Sequence, residues 1–297
     1  MINLIMTIDP WRHDWLPQFV AHYRKIGVER FLISAHVDSD LSPEDKERIH
    51  AEVADTLKSV GVDWCGKIDC KFDAMAIRAY HDKIQSTMCQ PSDWIVWADS
   101  DELQQYWDTL DVLTRQWDAR GVNCVGGDFL DRIAENGNLP AFDPDIPLWK
   151  QFPYGNRLTR VLLQGRSMKV VCSKATVAVK FGNHDPTFEQ KVKWETPRAV
   201  IHHFKWDNTV IERLKERLTD SWKERCWWWE QTQRFNDHVA QHGRINTDEI
   251  PMKLAGDPAA KLPKTLKLYA IGSFYKYRWL AQQLKATKSL SPQAAKA

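Results

Sequence analysis

The first hundred residues alternate between short apolar runs and longer segments with helical spacing, and this alternation is the strongest constraint on the fold. Apolar runs at 3–7, 30–35, 62–65 and 94–98 are predicted strands. The segments between them, 13–26, 43–60 and 72–89, have the periodicity of helices. Gly27 and Gly61 follow the first two predicted helices, where glycine commonly ends a helix. This order predicts an α/β fold with a mostly parallel central sheet that is covered by helices on both faces.

Acidic residues follow two of these predicted strands. Asp-x-Asp occurs at 38–40, 99–101 and 143–145, so the spelling alone has little specificity. Only the triplet at 99–101 follows a dense β-favouring run. Because ligands of open α/β sheets bind at the carboxyl ends of the strands, Asp38 and the triplet at 99–101 are predicted to lie at a ligand site.

The residue types at this site suit a divalent cation. Mg²⁺ and Mn²⁺ prefer oxygen ligands and are commonly held by one or two carboxylates together with substrate phosphates. Asp99 and Asp101 share one side of an extended chain, and Glu102 is placed to support them. His203 is predicted as the third ligand, with His202 as its substitute. The alternatives are an acidic turn that caps a helix from Leu103 onward, and a structural histidine.

The chain after residue 102 is less regular. Short β-like runs occur at 123–132, 161–163, 168–172, 176–179 and 199–206. Between them lie long proline-containing loops, which are predicted to shape an acceptor site because long loops in compact domains are commonly functional. Two further segments, 209–242 and 262–284, are predicted helices, the second basic and aromatic.

Composition limits the class of protein. A hydrophobic content of 43% in 297 residues excludes a disordered chain, and a net charge of +2 argues against nucleic acid as a partner. Six cysteines without C-x-x-C spacing, no 18-residue apolar run and no signal peptide predict a cytoplasmic protein. From Pro258 onward there is no Asp or Glu. That basic, aromatic tail is predicted to bind an anionic membrane surface, or alternatively to pack on the catalytic domain.

Four blocks of sequence, taken in order, resemble the family-2-like nucleotide-sugar glycosyltransferases of GT-A fold. They are the helix at 15–23 with Gly27-Val28 and the strand 31–33, the stretch from Asp93 to Glu102, the stretch from Lys169 to His184, and His203-Phe204-Lys205-Trp206. The resemblance covers roughly residues 1–210. The chain departs from the family pattern at Thr7-Ile8-Asp9-Pro10 and at 35–40, two loops that touch the nucleotide in that family.

The resemblance implies transfer of a sugar from a nucleoside diphosphate sugar, with UDP-sugar as the expected donor, to a glycan or lipid-linked saccharide. Mn²⁺ or Mg²⁺ would bridge the diphosphate, and inversion at the anomeric carbon would need a carboxylate base. Asp131 is the first candidate for this base, followed by Asp185 and Asp128. The other predicted contacts are Asp9 and Asp38 to the nucleoside, Lys169, Lys205 and Arg132 to the diphosphate, and His184 to phosphate or acceptor.

The predicted domain organisation follows from the same blocks. Residues 1–207 form a GT-A-like catalytic domain, with a nucleotide-sugar half at 1–102 and an acceptor half at 103–207. Residues 208–297 form a helical, basic and aromatic extension. Two other functions stay open: a metal-dependent nucleotidyltransferase or phosphoesterase that uses the same acids, and a non-enzymatic carbohydrate-binding protein that uses some of the 15 tryptophans.

Overall fold

A computed structural model describes residues 1–187, 190–219 and 228–262. The strands in these ranges are β1 (Ile2–Ile8), β2 (Arg30–Val37), β3 (Trp64–Asp69), β4 (Trp94–Trp97), β5 (Glu102–Gln105), β6 (Cys124–Ile133), β7 (Tyr154–Asn156), β8 (Met168–Lys174), β9 (Ala199–His203) and β10 (Lys253–Leu254). The α-helices are α1 (Leu16–Ile26), α2 (Pro43–Ser59), α3 (Ala74–Met88), α4 (Leu110–Ala119), α5 (Leu148–Gln151), α6 (Leu158–Val161), α7 (Val210–Glu216) and α8 (Trp229–His242).

The first half of the sheet is parallel, and its strands β1, β2 and β4 are mostly buried on both faces, whereas the edge strand β3 is partly exposed. Strands β3, β2, β1 and β4 lie side by side in that order. Along β1, Leu4 and Met6 join the apolar cluster that includes Phe19 of α1, whereas Ile5 joins the cluster that includes Ile84 of α3. Helices on both faces explain why β1, β2 and β4 are nearly continuous apolar runs.

The second half of the sheet is antiparallel. Strand β8 pairs with β4, β6 with β8, β7 with β6, and β10 with β7, all antiparallel. Strand β9 pairs in parallel with β6 and antiparallel with β5. The protein therefore has the predicted GT-A-like α/β fold, with parallel pairing confined to β1–β4 and to β6 with β9.

Three local predictions differ from the structure. The run 161–163 is not a strand but the end of α6 and a turn, because Leu158 and Leu163 both pack into an apolar cluster with α7 and α8. The third strand begins at Trp64 and extends to Asp69, following its pairing with β2. The run 176–179 forms only a single bridge, between Val179 and Pro186.

The C-terminal part is described as far as residue 262. The helix predicted at 209–242 contains two described helices, α7 and α8, and residues 1–261 form one compact unit. Trp206, Leu214 and Phe235 share one apolar cluster with Ile133 of β6, so the predicted boundary at 207 falls inside this unit. The predicted basic helix at 262–284 lies almost wholly outside the described residues. No helix in the described part of the chain is long and apolar enough to cross a bilayer.

His22, on the buried face of α1, gives folding a dependence on pH. Its Nε2 donates to the carbonyl oxygen of Gln104 at 2.9 Å, and burial lowers its pKa from 6.5 to about 4. The unfolded chain therefore takes up this proton near pH 6.5, and the folded protein only near pH 4. The stability that depends on the neutral imidazole is complete above pH 6.5 and is lost as the pH falls toward 4, by up to about 3 kcal/mol.

We expect His22→Gln to reduce this pH dependence. The measurement is urea unfolding at about pH 7 and about pH 4.5, which should show a smaller loss of unfolding free energy for the variant than for the wild type. Equal losses in the two proteins would show that His22 is not the source.

Candidate functional site

The turn between β4 and β5 carries three acidic side chains at the carboxyl end of β4. The backbone N–H of Glu102 donates to the carbonyl oxygen of Asp99 at 3.0 Å and closes the turn. The exposed fraction of the side chain is 55% for Asp99, 15% for Asp101 and 1% for Glu102. The chain continues as β5 and not as a helix from Leu103, so the helix-cap alternative is wrong.

Strand register brings His203 to this turn. His203 lies opposite Glu102 in the β5–β9 pair and beside Asp131 in the β6–β9 pair. The Nδ1 atom of His203 lies 2.7 Å from Oδ1 of Asp131, and Nε2 lies 3.7 Å from Oδ2 of Asp101. The ring of Phe129 stacks on the imidazole with centroids 4.7 Å apart. The imidazole is thus fixed between two carboxylates.

The hydrogen bonds of Asp131 determine which nitrogen of His203 carries the proton. Asp131 is fully buried and also accepts hydrogen bonds from the backbone N–H and hydroxyl of Thr159 and from the indole of Trp206. A carboxylate surrounded by donors accepts from His203 as well, so Nδ1 carries the hydrogen. In the neutral imidazole, Nε2 then presents a lone pair toward Asp101.

His202 has the opposite arrangement. Its Nδ1 accepts from the guanidinium of Arg132 at 2.8 Å, and its Nε2 donates to Oε1 of Gln105 at 2.9 Å. Because both ring nitrogens have partners on the other side of β9, His202 is not placed to substitute for His203.

Asp101 is an ionised, partly enclosed carboxylate. Its Oδ2 lies 2.9 Å from Nη1 of Arg12. Burial alone would raise the pKa of Asp101, but the positive charge of Arg12, together with the charges of Arg213 and Lys169, holds this pKa well below its usual range. Asp101 is therefore ionised at neutral pH.

Lys169 joins the other two acids of the turn. Its ammonium contacts Oδ2 of Asp99 and lies 2.6 Å from Oε1 of Glu102. Burial alone would lower the pKa of Lys169, but the attraction of the two carboxylates outweighs it and raises this pKa. Burial also raises the pKa of Glu102, against the attraction of Lys169. If Lys169 contacts a diphosphate as predicted, its ammonium would do so while it is already paired with Asp99.

The donor atoms fit a divalent cation at Asp101 and His203. A lone pair that faces a carboxylate oxygen at 3.7 Å suits two ligands of one ion, because ligand atoms at about 2.1 Å from a cation lie roughly 3–4 Å apart. Asp101, Glu102 and His203 have ligand atoms within 4.8 Å of one another, whereas Asp99 is not in this group. The structure thus brings together two of the three predicted metal ligands, and Asp99 lies on their solvent side.

Only one other group in the described ranges has three such ligand atoms this close, namely His238, His242 and Glu249. The Nε2 lone pair of His238 already accepts the backbone N–H of Asn246 at 3.0 Å, so its Nδ1 carries the proton. His238 therefore has no free ring lone pair for a cation. The group at Asp101 is the better candidate for a metal site.

The predicted base residues have very different surroundings. Asp131 has no exposed surface and holds His203, which does not suit a group that must meet an acceptor hydroxyl. Asp185 is 33% exposed and forms a two-pronged ion pair with Arg166 at 2.8 and 3.0 Å, which lowers its pKa. Asp128 pairs with Arg198 at 3.3 Å.

The residues predicted near the nucleoside and phosphates are held locally. The carbonyl of Asp9 accepts the backbone N–H of Arg12 at 2.9 Å, and Oδ1 of Asp38 accepts the backbone N–H of Asp40 at 3.0 Å. His184 donates from Nδ1 to the carbonyl of Met168 at 2.7 Å, and burial, with the nearby charge of Lys169, lowers its pKa.

The two other predicted basic residues differ from each other. Arg132 is fully buried and donates to four backbone carbonyls and His202, so the prediction that it contacts a diphosphate is wrong. Lys205 has its ammonium 5.5 Å from the ring centre of Trp206. Burial, followed by the charges of Arg217 and Arg213, lowers the pKa of Lys205 to about 7.

Sequence reasoning missed Arg12 as a site residue. Arg12 is 2% exposed, stacks on Trp15 at 4.3 Å and contacts both Asp101 and Asp207. The sequence feature that could have indicated Arg12 is its position four residues after β1, at the carboxyl end of a central parallel strand.

No protein-family model matches the chain, and no curated protein sequence matches it. Among solved structures, the chain is similar to TarS of S. aureus, with 11% identity over 85% of this chain and 75% of that chain and a TM-score of 0.34. TarS in complex with UDP gives 10% identity, the same coverage and a TM-score of 0.33. The galactosyltransferase LgtC, in complex with donor and acceptor sugar analogues, gives 12% identity over 79% of this chain and 69% of that chain, with a TM-score of 0.27. The fold assignment rests on the strand order and pairing given above.

Proposed function

We propose that the protein is a metal-dependent glycosyltransferase that moves a sugar from a nucleoside diphosphate sugar, with UDP-sugar as the expected donor, to a hydroxyl of a glycan or lipid-linked saccharide. One observation carries this proposal: Asp131 fixes His203 so that its Nε2 lone pair faces the ionised Asp101. The pair stands at the carboxyl end of β4, where open α/β sheets bind their ligands. A nucleoside diphosphate with its cation is the ligand that this arrangement suits.

Asp101 and His203 would hold Mn²⁺ or Mg²⁺, with Glu102 or Asp99 beside them. The ion would supply positive charge to the diphosphate as it leaves the sugar. Arg12 fixes the orientation of Asp101, and Asp131 fixes that of His203. The ammonium of Lys169, held by Asp99 at the solvent side of the turn, adds a second positive charge that can stabilise the same leaving group.

The proton of the acceptor hydroxyl needs a carboxylate that reaches solvent, if the transfer proceeds with inversion. Of the predicted bases, Asp185 meets this need, and its pairing with Arg166 keeps it ionised at neutral pH. Asp131 instead accepts the hydrogen bond that orients the imidazole of His203. The predicted association of the basic tail with a membrane surface concerns residues outside the described ranges and stays a prediction.

A binding panel tests the proposed function. Thermal stability is measured with UDP, GDP, ADP and CDP, each with Mn²⁺, with Mg²⁺ and with chelator. We expect one diphosphate, UDP first, to raise the melting temperature in the presence of metal and to lose this effect with chelator. If no nucleoside diphosphate stabilises the folded protein with either metal, the glycosyltransferase proposal fails. Release of nucleoside diphosphate from the sugar nucleotide would separate it from a nucleotidyltransferase, which instead releases pyrophosphate from a nucleoside triphosphate when a sugar phosphate takes up the nucleotidyl group.

Replacement of Asp131 by asparagine tests the hydrogen bond behind His203. The side-chain amide can donate to Nδ1, which would move the proton of the imidazole to Nε2 and remove the lone pair that faces Asp101. We expect the affinity for Mn²⁺ in the presence of the nucleotide to fall about 10- to 100-fold, as for other carboxylates that orient a metal-binding histidine. Asp128→Asn, in the same strand, is the control and should bind Mn²⁺ like the wild type. Unchanged affinity in Asp131→Asn would contradict the proposed role.

A further inference from the structure

Arg12 holds two carboxylates at once, and only one of them has a part in the proposed reaction. The Nη1 atom of Arg12 lies 2.9 Å from Oδ2 of Asp101, and its Nη2 atom lies 3.4 Å from Oδ2 of Asp207. The side chains of Arg12 and Asp207 are only 3% and 4% exposed, so water and salt screen this pair weakly. Asp207 therefore attracts the same guanidinium that pairs with the proposed metal ligand.

The start of α7 fixes the carboxylate of Asp207. Its Oδ1 atom accepts the backbone N–H of Thr209 at 3.1 Å and the hydroxyl of Thr209 at 2.6 Å. The same oxygen accepts a hydrogen bond from Nη2 of Arg213 at 3.3 Å. Because Oδ1 is held in this way, Oδ2 is the oxygen that Asp207 presents to Arg12. The charge of Asp207 thus stands at a fixed place beside Arg12.

Two further contacts restrict the guanidinium of Arg12. Its Cζ atom lies 4.3 Å from the ring centre of Trp15, and its Nη2 atom also donates to the carbonyl oxygen of Lys205 at 3.4 Å. A guanidinium that stacks on an aromatic ring keeps its edge for hydrogen bonds. At that edge, Asp101 attracts Nη1 and Asp207 attracts Nη2, so the two carboxylates pull on different nitrogens.

This division matters because the oxygen that Arg12 contacts is also the proposed metal ligand. Oδ2 of Asp101 is the atom that lies 3.7 Å from Nε2 of His203. An arginine paired with a single carboxylate commonly makes two parallel hydrogen bonds to it. An arginine shared by two carboxylates gives one nitrogen to each. Sharing with Asp207 therefore leaves lone pairs of Asp101 for a cation.

We infer that Asp207 is a positioning residue of the proposed metal site: it holds Arg12 back from a two-pronged pair with Asp101 and so keeps Asp101 available to Mn²⁺ or Mg²⁺. This inference rests on the proposed function and adds to it a residue that acts through Arg12 and not by its own contact with the cation. When Asp207 loses its charge, the attraction of Arg12 falls on Asp101. The cation then competes with a stronger ion pair.

The test variant is Asp207→Asn, which keeps the contacts to α7. Its amide oxygen can still accept from Thr209 and Arg213, and asparagine is favoured at helix starts, but the group beside Nη2 of Arg12 is no longer charged. Mn²⁺ is titrated into the full chain, alone and with UDP, and free Mn²⁺ is followed by electron paramagnetic resonance below the unfolding transition. We expect the affinity for Mn²⁺ with UDP to fall about tenfold, as for other outer partners of metal ligands.

Two more variants separate the charge of Asp207 from its part in folding. Thr209→Val removes a hydroxyl that donates to the same Oδ1 atom but leaves the charge, and it should bind Mn²⁺ within about twofold of the wild type. Asp207→Glu keeps the charge but not the shape, and it should bind Mn²⁺ more tightly than Asp207→Asn. If shape and the start of α7 decided the effect, asparagine would be the milder change, and this order would overturn the inference.

A double-mutant cycle tests whether Asp207 acts through Arg12. The affinity for Mn²⁺ with UDP is measured in Arg12→Met and in Arg12→Met with Asp207→Asn. We expect loss of the Asp207 charge to change this affinity by less than about twofold when Arg12 is absent, because the two effects are coupled and not additive. A further tenfold loss in the double variant would show that Asp207 acts by another route.

Kinetics with UDP-sugar distinguish this inference from the proposed function. In Asp207→Asn the apparent KM for Mn²⁺ should rise, while kcat at saturating Mn²⁺ should return to within about threefold of the wild type. A loss of kcat that excess Mn²⁺ does not restore would overturn the positioning role. Mn²⁺ binding that Asp207→Asn leaves unchanged would overturn it too, with the proposed function intact. Wild-type protein that binds no Mn²⁺, alone or with any nucleoside diphosphate, would overturn both.

Discussion

Asp101→Asn is expected to reduce metal-dependent sugar transfer at least about a hundredfold, which corresponds to about 2.7 kcal/mol of transition-state stabilisation. The substitution keeps the shape of the side chain but removes the charge that faces His203 Nε2 at 3.7 Å. A neutral amide oxygen is a weaker ligand for Mg²⁺ or Mn²⁺ than a carboxylate, and the substitution leaves Arg12 with Asp207, at 3.4 Å, as its carboxylate partner. The measurements are release of UDP from UDP-sugar and the Mn²⁺-dependent shift in melting temperature on addition of UDP.

The matched control is Asp143→Asn. Asp143 begins another Asp-x-Asp triplet, but it is exposed and accepts the backbone N–H of Asp145 at 2.9 Å in a loop, a bond that asparagine can also make. The control should keep full activity and the full thermal shift. If Asp101→Asn kept the metal-dependent shift with UDP, the cation would not be held at this carboxylate.

Arg132→Met is expected to destabilise the folded protein by about 4 kcal/mol or more. The guanidinium is fully buried and donates to the carbonyl oxygens of Phe152 at 2.9 Å and Gly256 at 3.0 Å. It donates as well to the carbonyl oxygens of Trp149 and Ala255, both at 3.1 Å, and to Nδ1 of His202 at 2.8 Å. Methionine fills much of the volume but leaves these acceptors without a donor, and each buried unsatisfied group costs about 1–3 kcal/mol.

Urea unfolding followed by tryptophan fluorescence measures this loss. Arg160→Met is the control, because Arg160 is exposed on α6 and should change the unfolding free energy by less than about 0.5 kcal/mol. Arg132→Lys should also be destabilised, since one ammonium cannot reach the acceptors that a planar fork reaches. Segment 253–257 should exchange its amide hydrogens faster in Arg132→Met. A loss of less than about 1 kcal/mol would contradict the structural role.

The parallel half of the fold could be predicted from sequence because its signals are local. The apolar runs, the helical spacing and Gly27 after α1 each report on a few consecutive residues, and the observed strands and helices agree with them within a few positions. The antiparallel half depends on contacts between distant segments. Leu158 and Leu163 are apolar in either a strand or a helix, and only their packing with α7 and α8 decides between the two.

The candidate site was predictable where residue type and strand position are sufficient. Asp101 and His203 belong to that class, and the structure places their ligand atoms close together. The role of Asp131 was not predictable, because its burial and its bond to His203 follow from the register of β6 with β9. The choice between His202 and His203 also needs this register, since adjacent strand residues face opposite sides.

Arg12 and Lys169 between them pair with all three acids of the turn. A protein built in this way does not need a metal to keep its carboxylates apart, so chelator alone should leave its melting temperature unchanged. An ion that competes with two built-in cations binds weakly by itself and gains affinity when phosphate oxygens complete its shell. We therefore expect the metal to enter as a complex with the sugar nucleotide and to leave with the spent diphosphate, as a co-substrate exchanged in every turnover.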